Sequence, residues 1–228
     1  MFKLVSMRNG TGIVAMILLL FVNACKLDPP VYPVIINSYM PLAEGNMWRY
    51  TYQITGRPMD TLTVTMTNVQ SAVGGRIYFS ATTESTQIPQ FTSCFYSGSS
   101  IYATLLAAST PGGPVVIDMD YLNDAIPVGQ TWTNALVPGG QIAGIPAQML
   151  GTMVEKETSM KVNGAKYYNV IHTRADVQYN FGQGFKTYTT YDYYSSLGVG
   201  IIKLITSAGT DTISNQEIIS YSVKQPKK

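Results

Sequence analysis

Histidine and cysteine are scarce in this chain: its 228 residues include one histidine and two cysteines. Most metal centres and many nucleophilic catalytic sites depend on these two residue types. The sequence also contains no Cys-x-x-Cys, His-Glu-x-x-His or Gly-x-Ser-x-Gly motif. A histidine triad or a histidine metal site would have to use His172, for which we expect a structural role on a strand. The sequence therefore predicts a protein that is not an enzyme and that has no cofactor.

Charge is low as well. Asp, Glu, Lys and Arg make up 12% of the chain, about half of the usual quarter. The net charge is +2, and the largest basic group is Lys224, Lys227 and Lys228 at the C-terminus. This excludes the strong positive surface that nucleic-acid binding requires. A hydrophobic fraction of 46% also argues against disorder, so we expect a folded domain with a substantial core.

The one long uncharged apolar stretch lies near the N-terminus. Lys3 and Arg8 precede it, and residues 11–24 carry no charge. This length falls short of the roughly 20 apolar residues that a membrane-spanning helix needs. It is typical of the hydrophobic part of a signal peptide, so we predict a signal peptide over residues 1–24. An ordinary cleaved signal and an uncleaved anchor are the alternatives to the lipoprotein signal considered next.

The end of that stretch, Val-Asn-Ala-Cys at residues 22–25, resembles the lipobox of bacterial lipoproteins. The resemblance implies that Cys25 is acylated and becomes the mature N-terminus, so that the membrane is a partner through this lipid anchor. Two or more acyl chains hold a protein stably on a bilayer, whereas one holds it marginally. Residues 25–38, which include three prolines, are predicted to be a stiff tether. The expected location is the cell envelope, at the outer membrane, on its periplasmic or its surface face.

Beyond the tether, the dominant pattern has a period of two. Residues 61–67 alternate threonine with an apolar residue, and residues 48–55 alternate an aromatic or apolar residue with a polar one. Such alternation predicts strands with one face in the core and one in water. Asn163-Gly164 is a strong hairpin-turn signal. We predict an all-β class with about a dozen antiparallel strands, in one domain over residues 39–224. A strongly curved sheet or partly open barrel is expected, with a β-sandwich as the alternative.

Two segments of the domain echo each other. Trp48 and Trp132 are the only tryptophans, and each lies three residues after a glycine that follows a proline. Weaker matches follow both tryptophans. The echo favours an internal repeat of related halves, at about 39–120 and 121–224. A chance match in a strand-rich chain is the alternative.

The segments YMPLAEGNMWRYTY (39–52) and YYSSLGVGIIKL (193–204) resemble the two ends of a group of Bacteroidetes lipoproteins. Those proteins tend to read Pro-Leu-x-x-Gly-x-x-Trp-x-Tyr early and Tyr-x-x-x-x-Gly-Val-Gly-x-x-Lys late. More loosely, the chain is similar to periplasmic lipoprotein carriers, whose incomplete β-barrels wrap around an apolar cavity. The resemblance implies an exported lipoprotein and offers no catalytic residue.

Two groups of residues are weak candidates for binding. Oxygen-bearing side chains cluster at Asp118, Asp120 and Asp124, as calcium requires, but the segment lacks the glycine and final glutamate of an EF-hand loop. We expect a solvated connection between the halves there. The second group comprises tyrosines of one predicted hairpin: Tyr179, Tyr188, Tyr191, Tyr193 and Tyr194.

Tyrosine rings stack on sugars, but tyrosine is also a favoured strand residue. The favoured function is therefore binding of an apolar or amphiphilic ligand in the concavity of the sheet, or of an envelope partner. A glycan-binding module that uses exposed tyrosines is the alternative, and a hydrolase without a recognisable motif is a third. An apolar cavity would support the first function and coplanar exposed tyrosines the second.

Overall fold

The computed structural model describes residues 37–110 and 113–224, which belong to one all-β domain. The predicted signal peptide, the lipidated Cys25 and nearly all of the predicted tether lie outside the described residues. Those three features therefore stay predictions. In the described ranges, no helix is long and apolar enough to span a membrane.

Thirteen strands make up the described domain. Their bounds are β1 (Met47–Ile54), β2 (Asp60–Val73), β3 (Arg76–Glu84), β4 (Phe91–Ser97), β5 (Ile101–Thr110), β6 (Gly113–Asn123), β7 (Thr131–Ala135), β8 (Gln141–Ile142), β9 (Ile145–Val162), β10 (Ala165–Asn180), β11 (Phe185–Ser196), β12 (Gly200–Ala208) and β13 (Asp211–Ser222).

The strands form one antiparallel sheet in the order β6-β5-β4-β3-β2-β1-β13-β12-β11-β10-β9-β7, and β8 pairs with β9 beside this path. The twelve strands of the path curl into a nearly closed barrel with one unsealed seam. The seam lies between the two end strands, where the Asp118 N–H of β6 donates to the Leu136 carbonyl just after β7, at 2.8 Å. The predicted class and the partly open barrel are confirmed, and the β-sandwich alternative is not.

The two Gly-x-x-Trp turns have the same local structure. Gly45 and Gly129 both have positive φ, 78° and 81°, a conformation that glycine adopts without steric cost. In each turn, the glycine N–H and the next residue's carbonyl bond to one methionine of the neighbouring strand at 2.8–3.0 Å: Gly45 and Asn46 to Met66, Gly129 and Gln130 to Met153. Each turn therefore places its tryptophan at the second position of the strand that follows. The duplication of whole halves stays a prediction.

The barrel has two ends, which we name by the path of the chain. At the entry end, where the described chain begins, the Ser38 carbonyl accepts a hydrogen bond from Gly198 N–H at 2.9 Å. The Ser38 hydroxyl lies 2.9 Å from that of Ser97. Because successive strands alternate in direction, the β9–β10 turn is also at the entry end. The β10–β11 turn (residues 181–184) is at the opposite end, which we call the far end.

The core follows the predicted alternation. On β2, Leu62, Val64 and Met66 are buried between half-buried threonines. The barrel interior is one continuous apolar cluster of long side chains. Its largest fully buried members include Trp48, Met66, Met119, Tyr121, Leu122, Met149, Met153, Ile171 and Ile202. Each such side chain contributes about 1.5–3 kcal/mol by leaving water, so the fold is held by packing with no disulfide in the described ranges.

One expectation about this region is wrong. The segment predicted as a solvated connection between the halves is largely strand, because residues 118–123 belong to β6 and pair with β5. Asp120 is buried, although aspartate is usually exposed. Arg76 supplies its counter-charge from β3, which makes a buried carboxylate tolerable in a strand.

Candidate functional site

The most exposed cluster of aromatic side chains in the described residues is at the tip of the β10–β11 hairpin. Phe181 and Tyr188 are 60% and 47% exposed, and half-buried Tyr179 completes the group. Phe185 is 42% exposed but pairs with Asn180, so it lies on the other face of the hairpin. We call residues 179–188 the aromatic hairpin. Its turn contains Gly182 and Gly184, both with positive φ. Large apolar rings in water cost free energy, so an exposed cluster of them marks a contact surface.

The rings of this cluster touch one another at steep angles. Tyr179 and Tyr188 meet at 83° with centroids 5.6 Å apart, and Phe181 meets Tyr188 at 61° with the same separation. Such edge-to-face pairs are favourable arrangements for aromatic rings. They do not form the coplanar platform that was expected of a glycan-binding surface. The cluster offers instead a faceted apolar surface with tyrosine hydroxyls on it.

The aromatic hairpin projects beyond the neighbouring strand. β11 pairs with β10 from Phe185 onward, whereas its pairing with β12 begins only at Thr190. About five residues of β11 therefore extend past β12, roughly 15 Å at the rise of a strand. Lys186 lies in this projecting part and is exposed. A lysine there discourages unwanted pairing with another sheet, so the projecting strand can stand free in solution.

The structure separates the predicted tyrosines into two sets. Tyr179 and Tyr188 belong to the exposed cluster. Tyr193 is buried in the core, stacked on Tyr121 with centroids 4.7 Å apart, and half-buried Tyr191 stacks on Tyr193. Burial raises the pKa of both, and that of Tyr193 rises well above 10.0. The expectation that Tyr193 is an exposed ligand contact is wrong, because its strand turns that face inward.

Two exposed phenylalanines of this hairpin were not among the predicted binding residues. Phe181 and Phe185 flank the Gly-Gln-Gly turn. The signal that could have found them is the placement of two phenylalanines immediately beside a turn. Turn residues are usually solvent-exposed, so apolar rings there have no core to enter.

Residues 37–110 and 113–224 offer little sign of the apolar cavity that the favoured function would use. A recess at the far end measures about 190 Å³, including its part open to solvent, which is below the roughly 300–1,000 Å³ typical of ligand pockets. Its lining is partly polar and includes Tyr52, Ile54, Arg57, Pro58, Asp60, Gln87 and Ile88. The interior cluster of core side chains occupies the space where a carrier would hold a ligand.

Asp60, in that recess, has a structural role. Its carboxylate accepts hydrogen bonds from the Ser85 hydroxyl, from the Thr86 hydroxyl at 2.6 Å and from the Gln87 N–H at 3.2 Å. These bonds, led by that from Ser85, hold the pKa of Asp60 well below 3.8. The ionised carboxylate thus fastens the β3–β4 loop to the start of β2.

The three aspartates proposed for calcium are engaged by other side chains. Arg76 contacts Asp120 through both ends of its guanidinium, with one bond of 3.0 Å, and lies 3.6 Å from Asp118. Asp118 also accepts from the Tyr78 hydroxyl at 2.5 Å, and burial raises the pKa of Asp118. Asp124 lies apart, against Tyr102. In the described part of the chain, no group of three His, Cys, Asp or Glu residues is placed to hold a metal.

His172 is buried in a cross-strand cluster. Its Nε2 lies 2.8 Å from the Asp192 carboxylate, and its ring stacks on Tyr194 with centroids 4.1 Å apart. Arg174 donates to the same carboxylate at 3.1 Å. Burial alone would raise the pKa of Asp192, but the bonds and charges of His172 and Arg174 together hold this pKa below 3.8. His172 and Arg174 thus share the Asp192 carboxylate. This arrangement suits a structural role for His172.

No protein-family model matches the sequence, and no curated protein matches it. Among solved structures, a Bacteroides fragilis protein named as exported, with a YmcC-like fold, is 7% identical with a TM-score of 0.48. A Parabacteroides distasonis protein named as a lipoprotein is 9% identical with a TM-score of 0.47. Each alignment covers 82% of this chain and 99% of the other. The chain is thus similar to two proteins named as exported or as a lipoprotein, at TM-scores too low to support a functional inference.

Proposed function

We propose that this protein is an exported, membrane-anchored, non-catalytic protein that binds an amphiphilic ligand or an envelope partner through its aromatic hairpin. The observation that carries the proposal is the contact of exposed Phe181 with exposed Tyr188 on a hairpin that projects past β12. Rings with apolar faces and hydroxyl edges suit a molecule that is itself part apolar and part polar. The lipid on Cys25 supplies the anchor in this proposal.

Several features of the described domain support a binding role. The aromatic hairpin is at the far end, whereas the chain enters the domain at the entry end. Contact with a ligand at the far end therefore leaves the entry end free for the anchor. His172 and the Asp118–Asp120 pair, the groups most suited to chemistry, are held by Asp192 and by Arg76.

The ligand-binding part is tested by replacing Phe181 and Tyr188 with serine in one variant. We expect about tenfold weaker displacement of a hydrophobic dye by lysophospholipid, since central aromatic contacts contribute about 1–2 kcal/mol or more to binding. The matched control replaces Phe91 and Val116, which are 46% and 52% exposed on β4 and β6, with serine. A polysaccharide gel-shift series run beside it tests the glycan alternative. If lysophospholipid displaces the dye equally well from both variants and from the unchanged chain, the proposed site is refuted.

The anchor is tested by the Cys25→Ser substitution. We expect the protein to move from the membrane fraction to the soluble fraction or to stay as the uncleaved precursor, because serine offers no sulfur for acylation. Intact-mass analysis of the natural chain should show a mass increased by acyl groups. An unmodified natural polypeptide, or unchanged fractionation of the variant, would contradict the anchor while leaving the aromatic hairpin untested.

A further inference from the structure

The β9–β10 hairpin closes the entry end of the barrel. We call residues 159–168 the lid hairpin. Val162 and Tyr167 are 3% and 6% exposed and belong to the interior cluster. The Asn163 side-chain amide donates to the Ile218 carbonyl of β13 at 3.0 Å, and the Tyr167 ring lies 6.4 Å from that of Tyr221. The lid hairpin therefore reaches across to β13 and buries one of its two faces.

The outer face of the lid hairpin carries an unfavourable pair of charges. Lys161 and Lys166 are directly opposite each other in the β9–β10 ladder, and both are exposed. Like charges in this position destabilise a sheet. Within the described ranges, neither lysine takes part in any of the ion pairs found. No ion pair of the described residues therefore supplies this pair with a counter-charge, and both exposed ammonium groups are accessible to an anionic surface.

One exposed tyrosine lies beside this pair, and a second exposed tyrosine and a further lysine are at the same end of the barrel. Tyr168 is 61% exposed with the Lys166 ammonium 4.9 Å from its ring centre, and Tyr221 is 47% exposed. Lys224 is at the same end, since its N–H donates to the Asn46 side chain beside the Gly45 turn. Tyrosine rings are enriched at the headgroup level of bilayers, and lysine is common beside them.

We propose that the outer face of the lid hairpin, with Lys161, Lys166 and Tyr168 at its centre, rests on an anionic lipid bilayer surface. The charge is complementary to acidic headgroups, and the chain enters the domain at this same end. Residues 26–36 separate Cys25 from Asn37, and a chain of that length spans about 40 Å at most. This inference rests on the proposed anchor, which brings the entry end within reach of the membrane.

The test measures co-sedimentation of the full chain carrying Cys25→Ser, so that no acyl chain contributes. Vesicles of phosphatidylcholine with and without phosphatidylglycerol are compared. The Lys161→Gln/Lys166→Gln variant is expected to bind the anionic vesicles about 30-fold more weakly, at roughly fivefold per lysine. Binding to neutral vesicles should be unchanged. The difference should shrink as salt is added, because salt screens exposed charges.

The matched control, Arg57→Gln/Arg174→Gln, removes the same net charge outside the lid hairpin and outside the aromatic hairpin, and we expect less than about a twofold change. Residues 1–24 are present in every variant, so their contribution cancels. Equal loss in both double variants would reduce the effect to net charge and overturn the proposal, as would no loss in either. If Cys25 proves unmodified in the natural chain, the anchor fails while the vesicle result stands by itself.

A second variant separates function from folding. Lys161→Glu turns the like-charged pair into an opposite-charged pair with Lys166, so the midpoint of thermal unfolding should rise. Binding to anionic vesicles should fall at least as far as in the double glutamine variant, because a positive charge becomes negative. Loss of binding together with a gain in stability would support the lysine pair as a membrane contact. A gain in stability with unchanged binding would overturn it.

Discussion

Replacing Trp48 with alanine is expected to lower the free energy of unfolding by about 4 kcal/mol, within the range for loss of a large buried aromatic ring. Trp48 is 1% exposed, and its indole N–H donates to the Val199 carbonyl at 2.6 Å. Gly200 lies beside the ring: a Cβ there would approach the indole nitrogen to 3.3 Å. The indole thus connects β1 to the β11–β12 turn. The alanine variant loses this hydrogen bond and leaves the space of the ring empty.

Urea unfolding followed by circular dichroism measures this loss. Trp48→Phe is an informative intermediate, because phenylalanine fills much of the space but leaves the Val199 carbonyl without its donor. It should lower the free energy of unfolding by about 1–2 kcal/mol, which is less than the loss in the alanine variant. Tyr168→Ala, at an exposed position, is the control and should change stability by less than about 0.5 kcal/mol. A loss below about 1 kcal/mol in Trp48→Ala would show that the ring is not a core element.

Much of the fold follows from local rules, which is why the sequence predicted it. The alternation in residues 61–67 places Leu62, Val64 and Met66 in the core, as observed. Asn163-Gly164 forms the expected turn, with both residues at positive φ. Period and turn chemistry are properties of neighbouring residues, so one sequence suffices to recognise them.

Other features depend on partners far along the chain. β1 pairs with β13 over the whole length of β1, and no local sequence pattern predicts this pairing of the first strand with the last. The burial of Asp120 requires Arg76, a residue of another strand. In the sequence alone, carboxylates this close together predict a solvated segment, because the distant arginine is not apparent there. β9 extends through a residue with positive φ, Glu157, which a strict alternation rule does not anticipate.

The candidate site was predicted in part for a related reason. Tyrosine suits both a core-facing and a solvent-facing strand position, so composition could not separate Tyr188 from Tyr193. The register decides it: Tyr193 is opposite Thr173 on β10 and stacks on Tyr121 inside the barrel. The exposed cluster arises because β11 extends about five residues past the end of β12. This difference becomes apparent only when the two strands are paired.

The second large effect is expected at Gly151. Its backbone is not in the left-handed region, so the requirement for glycine is steric. A Cβ on Gly151 would lie 2.6 Å from Cδ2 of Trp132 and closer still to other atoms of the same ring. Trp132 is opposite Gly151 in the β7–β9 ladder, and its indole N–H donates to the Asp120 carbonyl of β6 at 3.1 Å. Gly151→Ala must therefore displace the ring that bridges the unsealed seam.

We expect Gly151→Ala to cost about 2–3 kcal/mol, the upper part of the range for overpacking a well-filled site. A double-mutant cycle identifies the cause, because the cost should fall below about 0.5 kcal/mol when Trp132 is already alanine. Gly164→Ala is an unsuitable control, since its φ of 82° adds backbone strain, whereas Ala147→Gly at another β9 position alters the same strand without a clash. Additive losses in the cycle would mean that Gly151 is required by something other than the indole. A strongly non-additive result would establish that the close contact between Gly151 and the Trp132 ring is what makes glycine necessary at this position, and that the ring at the unsealed seam cannot shift without a loss of stability.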